Sequence, residues 1–190
     1  MRIIAGTHRG IALTELGKGD AAAQLRPTSD RTRESLFNII TMGANSRPLE
    51  GRRVLDLFAG TGALGLEALS RGAERICFVE SGRTGFKLIS KNIAKLRAAE
   101  NCTLLTHDAT RLPTCPYNPF DVVFLDPPYG RNLGKPALEA ALQNGWIASD
   151  ALIIWEENSP QDAPTGFTQL DTRKYGETHI TLLEPLSSGN

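Results

Sequence analysis

Asp126-Pro127-Pro128-Tyr129 is the stretch of this 190-residue chain whose residue types constrain a reaction most tightly. Two consecutive prolines fix the backbone dihedrals and remove two N–H donors. What remains is a rigid turn offering two acceptors, the Asp126 carboxylate and the Pro127 carbonyl, beside the aromatic face of Tyr129. An exocyclic amine on a nucleic-acid base is a poor nucleophile, because its lone pair is delocalised into the ring. Two acceptors on its N–H bonds favour a pyramidal nitrogen, free that lone pair and stabilise the positive charge that develops. Holding the amine in line with an electrophilic methyl group adds a further large factor. Tyr129 then stacks on the target base, which must leave any helix to enter such a pocket. The plainer reading is a proline-rich strand terminator with a surface tyrosine. Four residues with interlocking roles at one strand end weigh against it.

Gly60-Thr61-Gly62-Ala63-Leu64-Gly65 fits G-x-G-x-x-G between an apolar strand and a helix, with Glu80 twenty residues beyond Gly60. The pattern serves a dinucleotide, with Glu80 on the ribose hydroxyls, or simply a strand-to-helix turn that needs glycine. Asp56, four residues before Gly60 at the strand's carboxyl end, helps to separate the ligands. A carboxylate there repels a pyrophosphate but suits the ammonium group of S-adenosylmethionine, which carries no phosphate. The alternative for Asp56 is a helix-capping or turn acid. Asp108 follows the third strand and is placed to accept from an adenine amino group; Asp108-Ala109-Thr110 reads equally well as a turn.

The elements that must position these groups follow from the apolar rhythm. Short apolar runs at 54–58, 76–80, 103–106, 122–125 and 151–155 read as strands. Segments with helical spacing separate them, including Phe86, Ile89, Ile93 and Leu96, and a stretch around 135–146. Strand alternating with helix predicts an α/β fold with a doubly wound, mostly parallel sheet. Residues 167–183 alternate about Gly176 and predict an antiparallel pair at the sheet's end. Before the sheet, residues 2–13 predict a small hairpin. The loop 26–30 offers N-cap side chains to a helix that buries Leu36, Phe37 and Ile40. The whole is expected to be one domain, 1–190, with an extension at 1–50 and a catalytic core at 51–185.

Composition narrows the classes. Net charge is zero, but residues 1–53 hold nine Lys/Arg against five Asp/Glu, so the amino-terminal part is basic and the rest acidic. Cys77 and Cys102 read as buried strand residues, and neither cysteine spacing nor the scattered His8, His107 and His179 predicts a metal site. No signal sequence or membrane-spanning stretch is legible, which predicts a cytoplasmic protein.

Residues 56–68 (Asp-Leu-Phe-Ala-Gly-Thr-Gly-Ala-Leu-Gly-Leu-Glu-Ala) followed by the Asp126–Tyr129 turn resemble the amino-methyltransferase pattern. The openings Met1-Arg2-Ile3-Ile4-Ala5-Gly6 and Arg26-Pro27-Thr28-Ser29-Asp30-Arg31-Thr32-Arg33-Glu34-Ser35-Leu36-Phe37-Asn38, with Tyr175-Gly176, narrow the likeness. Together they resemble the RsmD family of bacterial 16S ribosomal RNA guanine-N2 methyltransferases. The resemblance implies a Rossmann-like class I methyltransferase fold, S-adenosylmethionine as cofactor, and 16S rRNA as partner in a small subunit or its assembly intermediate. It implies Asp126, Pro127 and Tyr129 as catalytic-turn positions. Asp56, Gly60, Gly62, Glu80 and Asp108 are implied as cofactor positions, and the flanking Phe58 and Ala109 complete that set. Arg9, Arg26, Arg31 and Arg33 become candidate RNA contacts, with a solvated face paired locally (Arg31 to Glu34) as the alternative. Two departures stand out: Thr61 where serine is commoner, and a glycine-rich Ser81-Gly82-Arg83-Thr84-Gly85 after Glu80. Other readings are an adenine-N6 methyltransferase using the same turn, a nicotinamide-dependent oxidoreductase, or a catalytically silent RNA-binding module.

Overall fold

The computed structural model describes residues 1–15 and 30–186. Arg26 and the predicted capping loop up to Ser29 lie outside the described residues. Helix α1 (Asp30–Met42) precedes β1 (Arg53–Leu57), α2 (Ala63–Ser70), β2 (Arg75–Val79), α3 (Arg83–Leu96) and β3 (Cys102–Leu105). Then come β4 (Phe120–Leu125), α4 (Gly134–Gln143), β5 (Ile147–Glu157), β6 (Phe167–Tyr175) and β7 (Thr178–Pro185). The strands form one sheet in the order β3-β2-β1-β4-β5-β7-β6. Strands β1 to β5 pair in parallel, and β7 is antiparallel to both neighbours. This is the doubly wound, mostly parallel sheet that the strand–helix rhythm predicts. The order reverses between β1 and β4, so a crevice opens at their carboxyl ends.

Both faces of the sheet are covered, which is why the central strands are almost wholly apolar. Val54, Ile76, Phe78, Val122 and Phe124 point to one face and meet Ile3, Leu36, Phe37, Ile40, Leu66 and Ile89 from the hairpin and the first three helices. Leu55, Cys77, Val79, Val123 and Leu125 point the other way, onto Ala137, Leu138 and Trp146. Cys77 is buried, as read from sequence, and that burial pushes its thiol up to about 12. Cys102 is only half-buried, because β3 is an edge strand with one neighbour.

The amino-terminal hairpin closes through an antiparallel bridge between Arg2 and Ala12. It is fastened to α2 by side chains. Glu67, wholly buried, accepts from the backbone N–H of Ile4 (2.7 Å) and Ala5 (3.0 Å), and pairs with Arg71 at 2.8 Å. The Ser70 hydroxyl donates to the Ala5 carbonyl, and the Thr7 N–H reaches the Ser70 carbonyl at 2.8 Å. No helix among the described residues is long and apolar enough to cross a membrane.

Candidate active site

Register builds the site. Leu57, Val79 and Leu125 are level across β2, β1 and β4, and Leu105 is level with Val79 on β3. The next residue of each strand therefore opens the crevice: Phe58, Glu80 and Asp126 lie in one row, with Glu156 beside Asp126 because Leu125 pairs with Trp155. The chain leaves β1 through a tight loop in which Phe58, Gly60 and Gly62 all have positive φ (60°, 58° and 76°). A phenylalanine held there costs about 1–3 kcal/mol, a strain typical of functional loops. Gly65 is needed for another reason. A Cβ on it would lie 2.4 Å from the ring of Phe78 and 2.7 Å from Ile76, so α2 could not pack this close to β2.

The acidic groups of the loop are braced rather than dangling. Asp56 accepts the Gly65 N–H at 2.9 Å and so caps the first turn of α2, the alternative role read from its sequence position. Glu80 accepts from Gly60 N–H (2.9 Å) with one oxygen and from Gly82 N–H (2.5 Å) with the other. The glycine-rich stretch after Glu80 thereby has a function: a Cβ at position 85 would fall 2.7 Å from the Glu80 carboxyl carbon. Asp108 accepts from the Thr110 N–H (2.9 Å) and hydroxyl (2.7 Å), which hold its carboxyl below the usual range, with Ala109 buried behind it. It is the turn acid of its second reading, and it remains exposed at the crevice.

Around the proline turn the field is strongly negative. Asp126 keeps some contact with solvent, yet desolvation, and then the charges of Glu156, Asp56 and Glu157, push its carboxyl well above the usual range. The Tyr129 hydroxyl donates to Glu156 Oε1 at 3.1 Å and lies 3.4 Å from the Thr178 hydroxyl. Burial, together with Glu156 and Asp126, lifts the phenol to about 12, so it stays a neutral donor. Asp56 is pushed up to about 8, chiefly by burial and further by Glu80. A carboxyl raised in this way favours the fold while it is neutral. Its contribution is complete at a pH below its unfolded value and is lost as pH rises through about 8. The melting temperature of the wild type should therefore fall by a few degrees relative to Asp56→Asn between pH 5 and pH 9, as read by calorimetry. Parallel pH profiles would show that Asp56 is already charged in the fold.

A family model described as "Conserved hypothetical protein 95" matches residues 1–184. The chain is 36% identical over 189 residues to "Ribosomal RNA small subunit methyltransferase D" of Haemophilus influenzae, covering 97% of this chain and 93% of that protein. The Escherichia coli K12 protein of the same name is 38% identical over 165 residues, covering 87% and 78%. The chain belongs to the RsmD family. A solved structure, "Putative methyltransferase yhhF from Escherichia coli", superposes with a TM-score of 0.78 at 34% identity, with 97% of each chain covered. The fold is thus the Rossmann-like class I methyltransferase fold.

Within this RsmD-family chain the candidate RNA arginines separate. Arg9 and Arg31 are exposed. Arg33 is not on the surface and must be withdrawn as an RNA contact. It is fully buried, donating to the Arg2 carbonyl (2.5 Å) and to Asp30 (2.9 Å). Its position was readable, since 33, 36, 37 and 40 fall on one helical face with Leu36, Phe37 and Ile40. Sequence reasoning missed Glu156 and Glu157, which extend β5 beyond the apolar run 151–155. Their signal was a pair of acids at the carboxyl end of the strand beside β4. It also missed Asn92, buried on α3, whose amide donates to the carbonyls of Thr14 (3.2 Å) and Thr61 (2.9 Å). Among the described residues no group of His, Cys, Asp and Glu is placed to hold a metal ion.

Proposed function

We propose that this protein transfers a methyl group from S-adenosylmethionine to the exocyclic N2 amine of a guanine in 16S rRNA of the small ribosomal subunit. The observation that carries the reading is the acid-walled crevice, in which the Asp126–Tyr129 turn stands level with the glycine loop and within the field of Asp56, Glu156 and Glu157. Such a crevice repels pyrophosphate and suits a ligand bearing a sulfonium and an ammonium. The donor set fits the cofactor: Glu80 at the end of β2 for ribose hydroxyls, Asp56 as a carboxyl that a nearby ammonium would draw into its charged form, and Asp108 with Ala109 for the adenine end. When bound, the cofactor supplies an electrophilic methyl group.

The chain's own residues do the rest. Tyr129, its hydroxyl fixed by Glu156 and Thr178, offers a ring of set orientation for the base to stack on. Asp126 and the Pro127 carbonyl accept the two amine N–H bonds and localise the lone pair on nitrogen. They then stabilise the positive charge that forms there until one proton leaves. The names of the relatives support ribosomal RNA as substrate. The guanine N2 position rests on the resemblance read from residues 1–6, 26–38 and 126–129.

The deciding experiment is transfer of labelled methyl to small-subunit RNA, as free RNA and as particles, with the product nucleoside identified. N2-methylguanine is expected. N6-methyladenine would transfer the reading to adenine, and no labelled nucleoside would remove it. In parallel, S-adenosylmethionine at ten times its Kd should stabilise the fold by about 1.4 kcal/mol, while NAD should leave the melting temperature unchanged. The reverse pattern would sink the methyltransferase assignment.

A further inference from the structure

Beside the catalytic turn lies a groove that the mechanism above does not use. Tyr129, Asn158, Lys174, Glu177 and His179 line a cavity of about 370 Å3. Across the β6–β7 hairpin Lys174 stands directly opposite His179, and His179 stands opposite Glu157 on β5, so Lys174 and His179 project from one face. Thr178, next to His179, shares a hydrogen bond with the Tyr129 hydroxyl, which ties the hairpin to the turn. Lys174 is exposed and has no ion-pair partner among the described residues. His179 Nδ1 is buried without a hydrogen-bond partner among them. A groove of this size falls within the range of ligand sites, and its convergent polar groups are of the kind that fix a ligand's orientation.

Electrostatics says what such a surface must do. A polyanion delivering a base to Tyr129 approaches Glu156 and Glu157, and Asp126 once it is ionised, an acidic cluster that repels it. A base stacked on Tyr129 carries its sugar and phosphates with it, and these must leave the site along a wall that Tyr129 shares. We propose that the groove seats the sugar-phosphate of the RNA nucleotide adjoining the target base. Lys174 supplies the charge that offsets the acidic crevice, the Nε2–H edge of His179 and the Asn158 amide supply N–H donors to the phosphate, and Glu177 accepts from the ribose 2′-hydroxyl. Glu177 places the phosphate on the Lys174–His179 side, since a carboxylate and a phosphate repel. This inference rests on the RNA-methylation reading and adds to it a specificity surface on the carboxyl-terminal hairpin.

The test is the steady-state kinetics of the full-length double variant Lys174→Ala/His179→Asn on small-subunit RNA across a salt series. The KM for RNA should rise about tenfold. The logarithmic salt slope should flatten by about 0.7 for each single-strand phosphate that the variant no longer neutralises. The cofactor-induced rise in melting temperature should match the wild type, which shows an intact fold and crevice. Arg52→Ala removes a cation at the amino end of β1, across the sheet from the site, and should leave the RNA KM unchanged. Lys174→Glu should exceed Lys174→Ala in effect. Methylated guanine from the wild type with an unaltered KM and slope in the double variant would overturn the groove assignment alone. No methylated guanine from the wild type would overturn the substrate reading, and the groove assignment with it.

Discussion

Asp126→Ala is expected to lower turnover about a hundredfold while cofactor affinity stays within a few-fold of the wild type. Asp126 follows β4 in the row with Phe58 and Glu80, and its proposed partner is the reacting amine rather than the glycine loop. Removing one charge-assisted hydrogen bond that matters only in the transition state forfeits about 3 kcal/mol, roughly two decades in rate. The effect belongs in turnover and not in cofactor binding, so single-turnover rates and cofactor titration must be measured on the same protein. A pH profile sharpens the prediction. The carboxylate is the accepting form, and burial with Glu156, Asp56 and Glu157 raises its carboxyl well above the usual range. Activity should therefore climb with pH above the ordinary carboxylate range, and Asp126→Asn should lose that limb. Near-normal turnover in folded Asp126→Ala would refute the role.

Glu67→Ala should be the most destabilising single change described here, by about 3–5 kcal/mol, because it strips a buried charge of its partner. Glu67 is wholly buried and holds the Ile4 and Ala5 N–H groups together with Arg71. Truncation leaves two backbone donors unsatisfied, and strands an arginine that is 15% exposed and stacked 4.7 Å over the Phe37 ring. Urea unfolding reads the loss, and Glu67→Gln, keeping one oxygen, should recover only part of it. A loss below about 1 kcal/mol would mean that water replaces the carboxylate at those donors.

The parallel core of the fold was legible because β1, β2 and β4 are buried on both faces and so write continuous apolar runs. β5 was read short: Glu156 and Glu157 look like a strand's polar end, although the pairing with β7 carries them inside. Glu80 and Asp126 were legible as the acids that follow β2 and β4, whereas Asp56 lies inside β1 and Asp108 three residues beyond β3. What each carboxylate holds was not legible. The bonds from Gly65 to Asp56 and from Gly82 to Glu80 depend on loop dihedrals that residue spacing does not encode. Arg33 was misread by charge, when its helical phase with Phe37 and Ile40 pointed inward. Glu67 and Asn92 act across more than sixty residues of chain, a range at which local pattern carries no signal.

The place of β7 in the sheet governs the order of events during synthesis. β6 hydrogen-bonds to the sheet only through β7, which lies between it and β5, so a nascent chain that has emitted β6 has no native strand to pair it with. Both outer strands must wait until residues 178–185 have left the ribosome, and the free edge of β5 stays exposed until then. The strands that carry the glycine loop and Glu80 are complete much earlier. Tyr129 is not fully set until Thr178 arrives. Growing chains thus complete the parallel half of the sheet before the hydroxyl that steadies the aromatic ring is in place, and a chain cut before residue 178 keeps the crevice strands without that hydroxyl.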